Sequence, residues 1–148
     1  MTKLELEFRQ ELAKLMKGAW ALTIHVENRL NPGVPDLSYV MNAPGSETGW
    51  LELKACNDSK TLGIHVEPSQ HRWFETHSAK VPSHLLIAVA DRRYLVCSSN
   101  HRAFLRALNS EQLCELALVG FHKKDTREVL CEALTRLTNR GQNAQVLL

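Results

Sequence analysis

Two carboxylates and a lysine have the types and spacing that could perform chemistry in this chain. Asp36 follows the run GVP, and Glu52 and Lys54 lie sixteen and eighteen positions further on, within the run GWLELKA. Side chains alternate along an extended strand, so Glu52 and Lys54 project from one face while Leu53 projects from the other. If the segment around Asp36 pairs with this strand, both carboxylates could hold a divalent metal ion against a phosphate. The combination predicts a metal-dependent phosphodiesterase acting on nucleic acid.

A Glu-x-Lys pair by itself is more often a solvated face of a strand, with a minor cross-strand ion pair. The order of the surrounding features favours the functional interpretation. Pro-Asp is followed by a turn, then by an apolar strand that carries Glu-x-Lys, and then by a helical segment. This order would bring the acids to one end of a small sheet.

Hydrophobic periodicity predicts the elements that must position these residues. Apolar residues at helical spacing indicate a helix over residues 3–17, ended by Gly18. Alternating patterns then predict three strands, at residues 20–27, 34–42 and 50–56, joined by short turns. Three consecutive strands with such connections form an antiparallel meander.

The second half of the sequence is expected to contain mainly helices. A helix is expected from Pro68 to about residue 79 with Ser69 as its N-cap, followed by a buried strand at 84–90. Residues 94–97 are a candidate partner for this strand in a hairpin. Helices are then expected at 100–108, 110–118 and 126–139, the last with a capping pattern of Asp125 and Glu128. Its apolar face favours packing onto the domain over a dimer seam.

Composition indicates one ordinary globular domain. The chain has 148 residues, 44% of them hydrophobic and 23% charged, and a net charge of only +2, so bulk charge does not predict nucleic-acid binding. Its four cysteines have no CxxC spacing, which indicates reduced thiols in a cytoplasmic protein. No apolar run is long enough for a membrane span, and the beginning of the sequence does not read as a signal peptide.

The ordered set of motifs resembles the PD-(D/E)xK nuclease superfamily, which has the restriction-endonuclease-like fold. The runs GVPDL, GWLELKA and SQHRW look most like its phage and VRR-NUC branch, which is related to Holliday-junction resolvases. The resemblance covers about the first ninety residues. It implies an αβββαβ core with a mixed central sheet flanked by helices at about residues 3–98, and leaves a helical extension at about 99–148.

The resemblance also implies roles for individual residues. Asp36 and Glu52 would be metal ligands together with the main-chain carbonyl of Leu53, and the metal would be Mg²⁺, with Mn²⁺ able to substitute. Lys54 would contact the scissile phosphate or the attacking water. Gln70 would orient Lys54 or the phosphate. Trp73, one helical turn later, is expected in the core in preference to a base-stacking surface.

An additional upstream acid is expected, and three residues are candidates. Glu27 would lie beside Asp36 if the first two strands pair. Glu7 matches the position that other members use, and Glu11 lies one turn further along the same helix. Each of the two helix residues could instead be a solvated charge. The loop at 57–67, with Lys60 and His65, could contact a DNA backbone or be inert.

The leading hypothesis is a magnesium-dependent endonuclease that cuts branched DNA, working as a homodimer in the cytoplasm, which would be that of the host cell if the chain is phage-encoded. One alternative is a restriction-like or nicking enzyme on linear duplex DNA. Another is a non-catalytic nucleic-acid-binding or protein-binding module on the same scaffold. Degenerate scaffolds of that kind usually lose an acid or the lysine, and this sequence retains all three.

Overall fold

A six-stranded mixed sheet organises the chain, and its spatial order β1-β2-β3-β4-β5-β6 is the order of the strands in the sequence. The computed structural model describes residues 2–25 and 32–139. The strands are β1 (Trp20–Ile24), β2 (Leu37–Met41), β3 (Gly49–Cys56), β4 (Ser83–Val89), β5 (Arg92–Cys97) and β6 (Val119–His122). The α-helices are α1 (Lys3–Leu15), α2 (Pro68–His77), α3 (Ser110–Leu116) and α4 (Thr126–Leu137), with 3₁₀ helices at Ser98–Leu105 and Lys123–Asp125.

Pairing within the sheet is antiparallel except between β3 and β4. These two strands run parallel over seven residue pairs, from Trp50↔Ser83 to Cys56↔Val89. A parallel pair needs a crossover connection, and α2 provides it. This helix therefore lies over the face of β3 from which Glu52 and Lys54 project. The expected αβββαβ order is confirmed.

Each face of the sheet carries its own hydrophobic core. Helices α1 and α4 supply Phe8, Leu12, Leu130 and Leu134 to one face, against the alternate β3 residues Leu51 and Leu53. On the other face, buried residues of α2, α3 and the first 3₁₀ helix meet β4 and β5: Phe74, Leu85, Ile87, Val96, Phe104 and Leu113. Burial of α4 confirms that its apolar face packs onto the domain.

Three expectations for these elements were wrong. Residues beyond 98 are not all helical, because Val119–His122 adds strand β6 to the sheet beside β5. Glu67, not Ser69, is the N-cap of α2, and Pro68 occupies its first turn, where a missing N–H costs nothing. Asp125 precedes α4 but makes no side-chain capping hydrogen bond. A strand of four residues between two helices is too short for periodicity to show.

All four cysteines are free thiols, as expected from their spacing. Across residues 2–25 and 32–139, no helix combines the length and apolar character that crossing a membrane requires.

Candidate active site at the start of strand β2

Asp36 directly precedes β2, where the main-chain pairing between β2 and β3 stops. From there its side chain, in place of its main chain, forms the hydrogen bond to β3. The last pair in the ladder is Leu37↔Leu51. One step beyond it, the Asp36 carboxylate Oδ2 accepts the Leu53 N–H at 2.8 Å. The Asp36 N–H in turn donates to Glu52 Oε1 at 3.2 Å. The two acids separated by a hairpin in the sequence are therefore in direct contact.

Burial and charge make Glu52 an unusual carboxyl group. Its side chain is only 2% exposed, and burial raises its pKa well above the ordinary value of 4.5. The neighbouring carboxylate of Asp36 raises the pKa further, while the ammonium of Lys54 lowers it. Two acids held together in a poorly solvated place are costly to ionise unless a cation accompanies them.

Gln70 connects Glu52 to Lys54. Its Nε2 donates to Glu52 Oε2 at 2.7 Å, and its Oε1 accepts from Lys54 Nζ at 3.0 Å. Lys54 Nζ lies 3.9 Å from Glu52 Oε2, so the amide is the shorter link between the two charges. The same Oε1 accepts the Glu67 N–H at 2.9 Å as part of the capping box of α2. The start of the helix and the orientation of the lysine thus depend on one side chain.

Gly33 allows the segment before Asp36 to reach this helix. Its φ of +80° is in the left-handed region, and a Cβ there would lie 2.1 Å from the main-chain oxygen of Ser69. A side chain is excluded both by conformation and by space. The glycine three residues before Asp36 therefore has a geometric role beyond making a turn.

An open cleft of about 800 Å³ surrounds the acids. It is lined by Asp36, Glu52, Lys54 and Gln70 together with residues at the start and in the middle of α1, just after β1, in the loop before α2 and in the first turn of α2: Thr2, Glu5, Leu6, Arg9, His25, His65, Glu67 and Ser69. The structure thus brings together all four residues that the motifs single out. His65 from the expected loop also reaches the cleft, whereas Lys60 does not line it.

The upstream acids are distributed differently from the expectation. Glu7 and Glu11 line a separate pocket with Arg93, and Glu11 pairs with the Arg93 guanidinium at 3.2 Å. The acid of α1 that lines the cleft is Glu5. Helical spacing shows that Glu7 and Glu11 share a face, but only the packing of α1 shows that this face turns away from the cleft. Glu27 lies outside the described residues.

The donor set suits a hard divalent cation. Asp36 and Glu52 offer carboxylate oxygens. The N–H and C=O of one strand residue point to the same side, so the Leu53 carbonyl points to the side of β3 on which Asp36 lies. Within the described ranges, no group of three His, Cys, Asp or Glu side chains forms a ready metal cluster. Two carboxylates, a carbonyl and retained waters are the kind of set that Mg²⁺ accepts.

Several residues that line the cleft had not been predicted from the sequence. Glu5 and Arg9 are one turn apart on α1, and no local pattern distinguishes them from other helix charges. The alternating pattern of β1 predicts that His25 lies on the same face as Thr23. Only the main-chain pairing of His25 with Asp36 shows that this residue lies at the cleft. Its N–H donates to the Asp36 carbonyl at 2.8 Å.

Comparison with known proteins supports the fold. No family model matches the chain, and no curated protein matches it. Among solved structures, it is similar to Hjc of Archaeoglobus fulgidus, a Holliday junction resolvase from an archaeal hyperthermophile, with 13% sequence identity and a TM-score of 0.53. The similarity covers 82% of this chain and 95% of that chain. The chain has the α/β restriction-endonuclease-like fold of that resolvase, with a six-stranded mixed sheet flanked by helices.

Proposed function

We propose that this protein is a metal-dependent deoxyribonuclease that hydrolyses phosphodiester bonds, with branched DNA as its substrate. One observation carries the proposal: two contacting carboxylates, a lysine and a bridging amide meet in an open cleft. This set is suited to binding a metal and stabilising a phosphate, and the fold is one that supports a resolvase in another protein. Neither the site geometry nor the fold similarity depends on the net charge of the chain.

The expected ion is Mg²⁺, with Mn²⁺ able to substitute, held by Asp36, Glu52 and the Leu53 carbonyl. When bound, it would act as a Lewis acid towards the phosphate and favour deprotonation of water. Lys54 would place its ammonium beside the phosphate oxygens, where negative charge accumulates during the reaction. Gln70 would hold Lys54 in position through its 3.0 Å hydrogen bond. Removing either Asp36 or Glu52 would leave the remaining carboxylate unable to hold the metal ion.

Branched DNA is the preferred substrate in this proposal because the fold neighbour is described as a Holliday junction resolvase. A four-way junction is two-fold symmetric, so paired cuts would require two active sites and hence a homodimer. We place the enzyme in the cytoplasm, where its free thiols would stay reduced.

The deciding experiment incubates the purified protein with labelled junction, flap, single-stranded and linear duplex DNA, and with RNA, in magnesium, manganese or chelator. Cleavage of the junction that requires metal supports the proposal. Equal or faster cleavage of linear duplex would reassign the substrate, and tight binding without cleavage of any substrate would indicate a non-catalytic module.

Variants connect the activity to the site. Asp36→Asn and Glu52→Gln should reduce cleavage to background, because each removes a metal ligand, and Lys54→Ala should slow it by about 10²–10³-fold. Metal binding should be measured by calorimetry. It should be retained in Lys54→Ala and lost in Asp36→Asn and Glu52→Gln. Glu132→Gln is the matched control, since Glu132 is an exposed acid of α4 paired with Arg136. Activity that persists in Asp36→Asn would contradict the assignment of the site.

A further inference from the structure

A row of four aromatic rings leads away from the cleft across the sheet. His25 stacks on Trp50 with ring centroids 5.1 Å apart and planes inclined by 25°. Trp50 meets Trp73 at 5.4 Å, and Trp73 stacks on His77 at 4.2 Å with an inclination of 20°. All four rings are partly exposed. The row joins the end of β1, the beginning of β3 and helix α2, and its Trp73 also packs against the hydrophobic core beneath α2.

His25 is the end of this row that lines the cleft. Its main chain continues the antiparallel pairing of β1 with β2, and its N–H donates to the Asp36 carbonyl at 2.8 Å. Its ring is held by the Ser38 hydroxyl at 2.8 Å from Nε2 and by Trp50 against one side. An aromatic ring fixed next to a proposed metal ligand is preorganised to meet a flat partner without further loss of side-chain entropy.

We propose that His25, supported by Trp50, forms a stacking site for one unpaired nucleobase adjacent to the bond that is cut. The inference rests on the proposed function and adds a substrate feature that the metal site alone does not provide. A phosphate held by Lys54 carries a nucleotide on either side, and His25 lines the same cleft as Lys54, where a neighbouring base could reach it. Base faces inside a duplex are covered by their neighbours, so only an unstacked base can use this surface.

The chemistry of the row favours a base over another planar group. Stacking on aromatic rings accepts any base, because every base has a π face, and thus gives preference for unpaired DNA without a sequence requirement. The imidazole of His25 and the indole of Trp50 extend such a stack by two rings. This arrangement would favour distorted or branched DNA because such DNA offers an unpaired base, in addition to any preference for the shape of the DNA.

A purely structural role for the rings must be separated from base stacking. Trp50 and Trp73 also hold α2 against the sheet, and changing either would disturb Gln70 indirectly. His25 is the better residue to change, because it lies at the end of the row and outside both hydrophobic cores. Trp20 is the matched control, since it packs on Tyr39 with the core residues of the opposite face, away from the row.

The test measures binding without cleavage, using full-length protein that carries Asp36→Asn in every case. Two labelled DNA duplexes are compared by fluorescence anisotropy in magnesium, identical except that one has an unpaired adenine and the other an abasic site at that position. The Asp36→Asn protein should prefer the unpaired adenine by about tenfold, and Trp20→Phe should keep that preference. His25→Ala should lower the ratio to below about twofold, and His25→Phe should restore most of it. Circular dichroism verifies that each protein is folded.

Each result decides the inference. Loss of the preference in His25→Ala together with its recovery in His25→Phe supports stacking, since phenylalanine keeps the ring and loses the bond to Ser38. A ratio near one before His25 is changed, or a preference unaffected by His25→Ala, overturns the stacking site. The proposed nuclease function then still stands if the unmodified chain cleaves DNA in parallel assays. Absence of binding to any DNA, with no cleavage by the unmodified chain, overturns both.

Discussion

At the scale of single residues, Gln70 connects the acid, the lysine and the start of helix α2. It donates to Glu52, accepts from Lys54 and caps the main chain at Glu67. Its side chain is buried, so each of these partners would lose a hydrogen bond that water cannot readily replace. Its role is therefore to position the lysine and the acid.

Replacing Gln70 by leucine, which has a similar size, should reduce both stability and activity. The free energy of unfolding should fall by about 1–3 kcal/mol, because buried polar groups are left without partners. The turnover number in magnesium should fall by about 10²-fold with a smaller change in KM, because the position of Lys54 matters most in the transition state.

The control for this substitution is Gln112→Leu. Gln112 occupies the same capping-box position in α3, where its Oε1 accepts the Asn109 N–H at 2.9 Å, but it is exposed and does not line the cleft. It should cost about 1 kcal/mol or less and leave turnover unchanged. Equal losses of activity in the two variants would show that helix capping alone explains the effect.

His84 provides a prediction for stability against pH. It is 5% exposed, its Nδ1 has no hydrogen-bond partner among the described residues, and burial lowers its pKa from 6.5 to about 4. The unfolded chain therefore binds a proton at higher pH than the folded chain. The stabilisation associated with neutral His84 should be fully present above about pH 6.5 and lost as the pH falls to about 4, a change of at most about 3 kcal/mol.

Urea unfolding of the parent protein and of His84→Leu between pH 4 and 8 measures this dependence. The difference between the two proteins should vary with pH in the stated window and become constant above it. Comparing the pair removes the opposing contribution of Glu52, whose raised pKa makes the folded state less stable as the pH rises. A difference that does not change with pH would show that His84 is hydrated or protonated when folded.

At the scale of elements, the site depends on how closely the chain before β2 approaches the start of α2. Gly33 is the point of contact, with no room for a Cβ beside the Ser69 carbonyl. Asp36 directly precedes β2, Glu52 lies in the middle of β3, and the amide of Gln70 comes from the helix. A small displacement of α2 would separate Gln70 from Lys54 while the sheet remained intact.

Gly33→Ala should therefore be far more damaging than an ordinary glycine substitution. Gly18 is the matched control: its φ is +83°, but no atom of residues 2–25 or 32–139 lies within 4 Å of a Cβ built there. Gly18→Ala should cost about 1–2 kcal/mol through backbone strain alone. Gly33→Ala adds a collision with main-chain atoms and should cost at least about 3 kcal/mol or displace α2 and abolish cleavage.

Thermal unfolding and cleavage assays of both alanine variants would measure these effects. Similar losses of stability, with activity retained in Gly33→Ala, would contradict the close contact between this segment and α2. The comparison holds the backbone conformation nearly constant and varies only the available space.

At the scale of the whole molecule, a net charge of +2 means that DNA affinity must come from local cations. The basic side chains that line the described cleft are those of Arg9, Lys54, His25 and His65. Few phosphate contacts imply a shallow salt dependence, with a slope of log K against log salt of about −2 to −3.

Arg9→Ala should reduce the magnitude of that slope by about one, because one phosphate contact is lost. Lys14→Ala is the control, since Lys14 lies in the last turn of the same helix and does not line the cleft. Anisotropy titrations of junction DNA at several salt concentrations measure both slopes. Equal slopes for the two variants would indicate that DNA does not pass over Arg9.

Periodicity and motif order in the sequence predicted the αβββαβ order, though not strand β6, and predicted that Asp36, Glu52 and Lys54 lie close together. Alternation placed Glu52 and Lys54 on one face, and the Pro-Asp segment lay one strand away from them. These are local features, set by side-chain direction along a strand and by short turns between strands. The contact between Asp36 and Glu52 follows from them with little dependence on the remaining chain.

Only the tertiary structure decided which residues surround that centre. The packing of α1 places Glu5 and Arg9 in the cleft and Glu7 outside it. The close approach of Gly33 to the first turn of α2 brings the segment before Asp36 next to Gln70. Strand β6 forms because β5 offers it an edge, not because its four residues have a strong pattern. The physical reason is that local sequence determines which way a side chain points relative to its own backbone, whereas helix rotation, edge pairing and close backbone approach depend on distant partners.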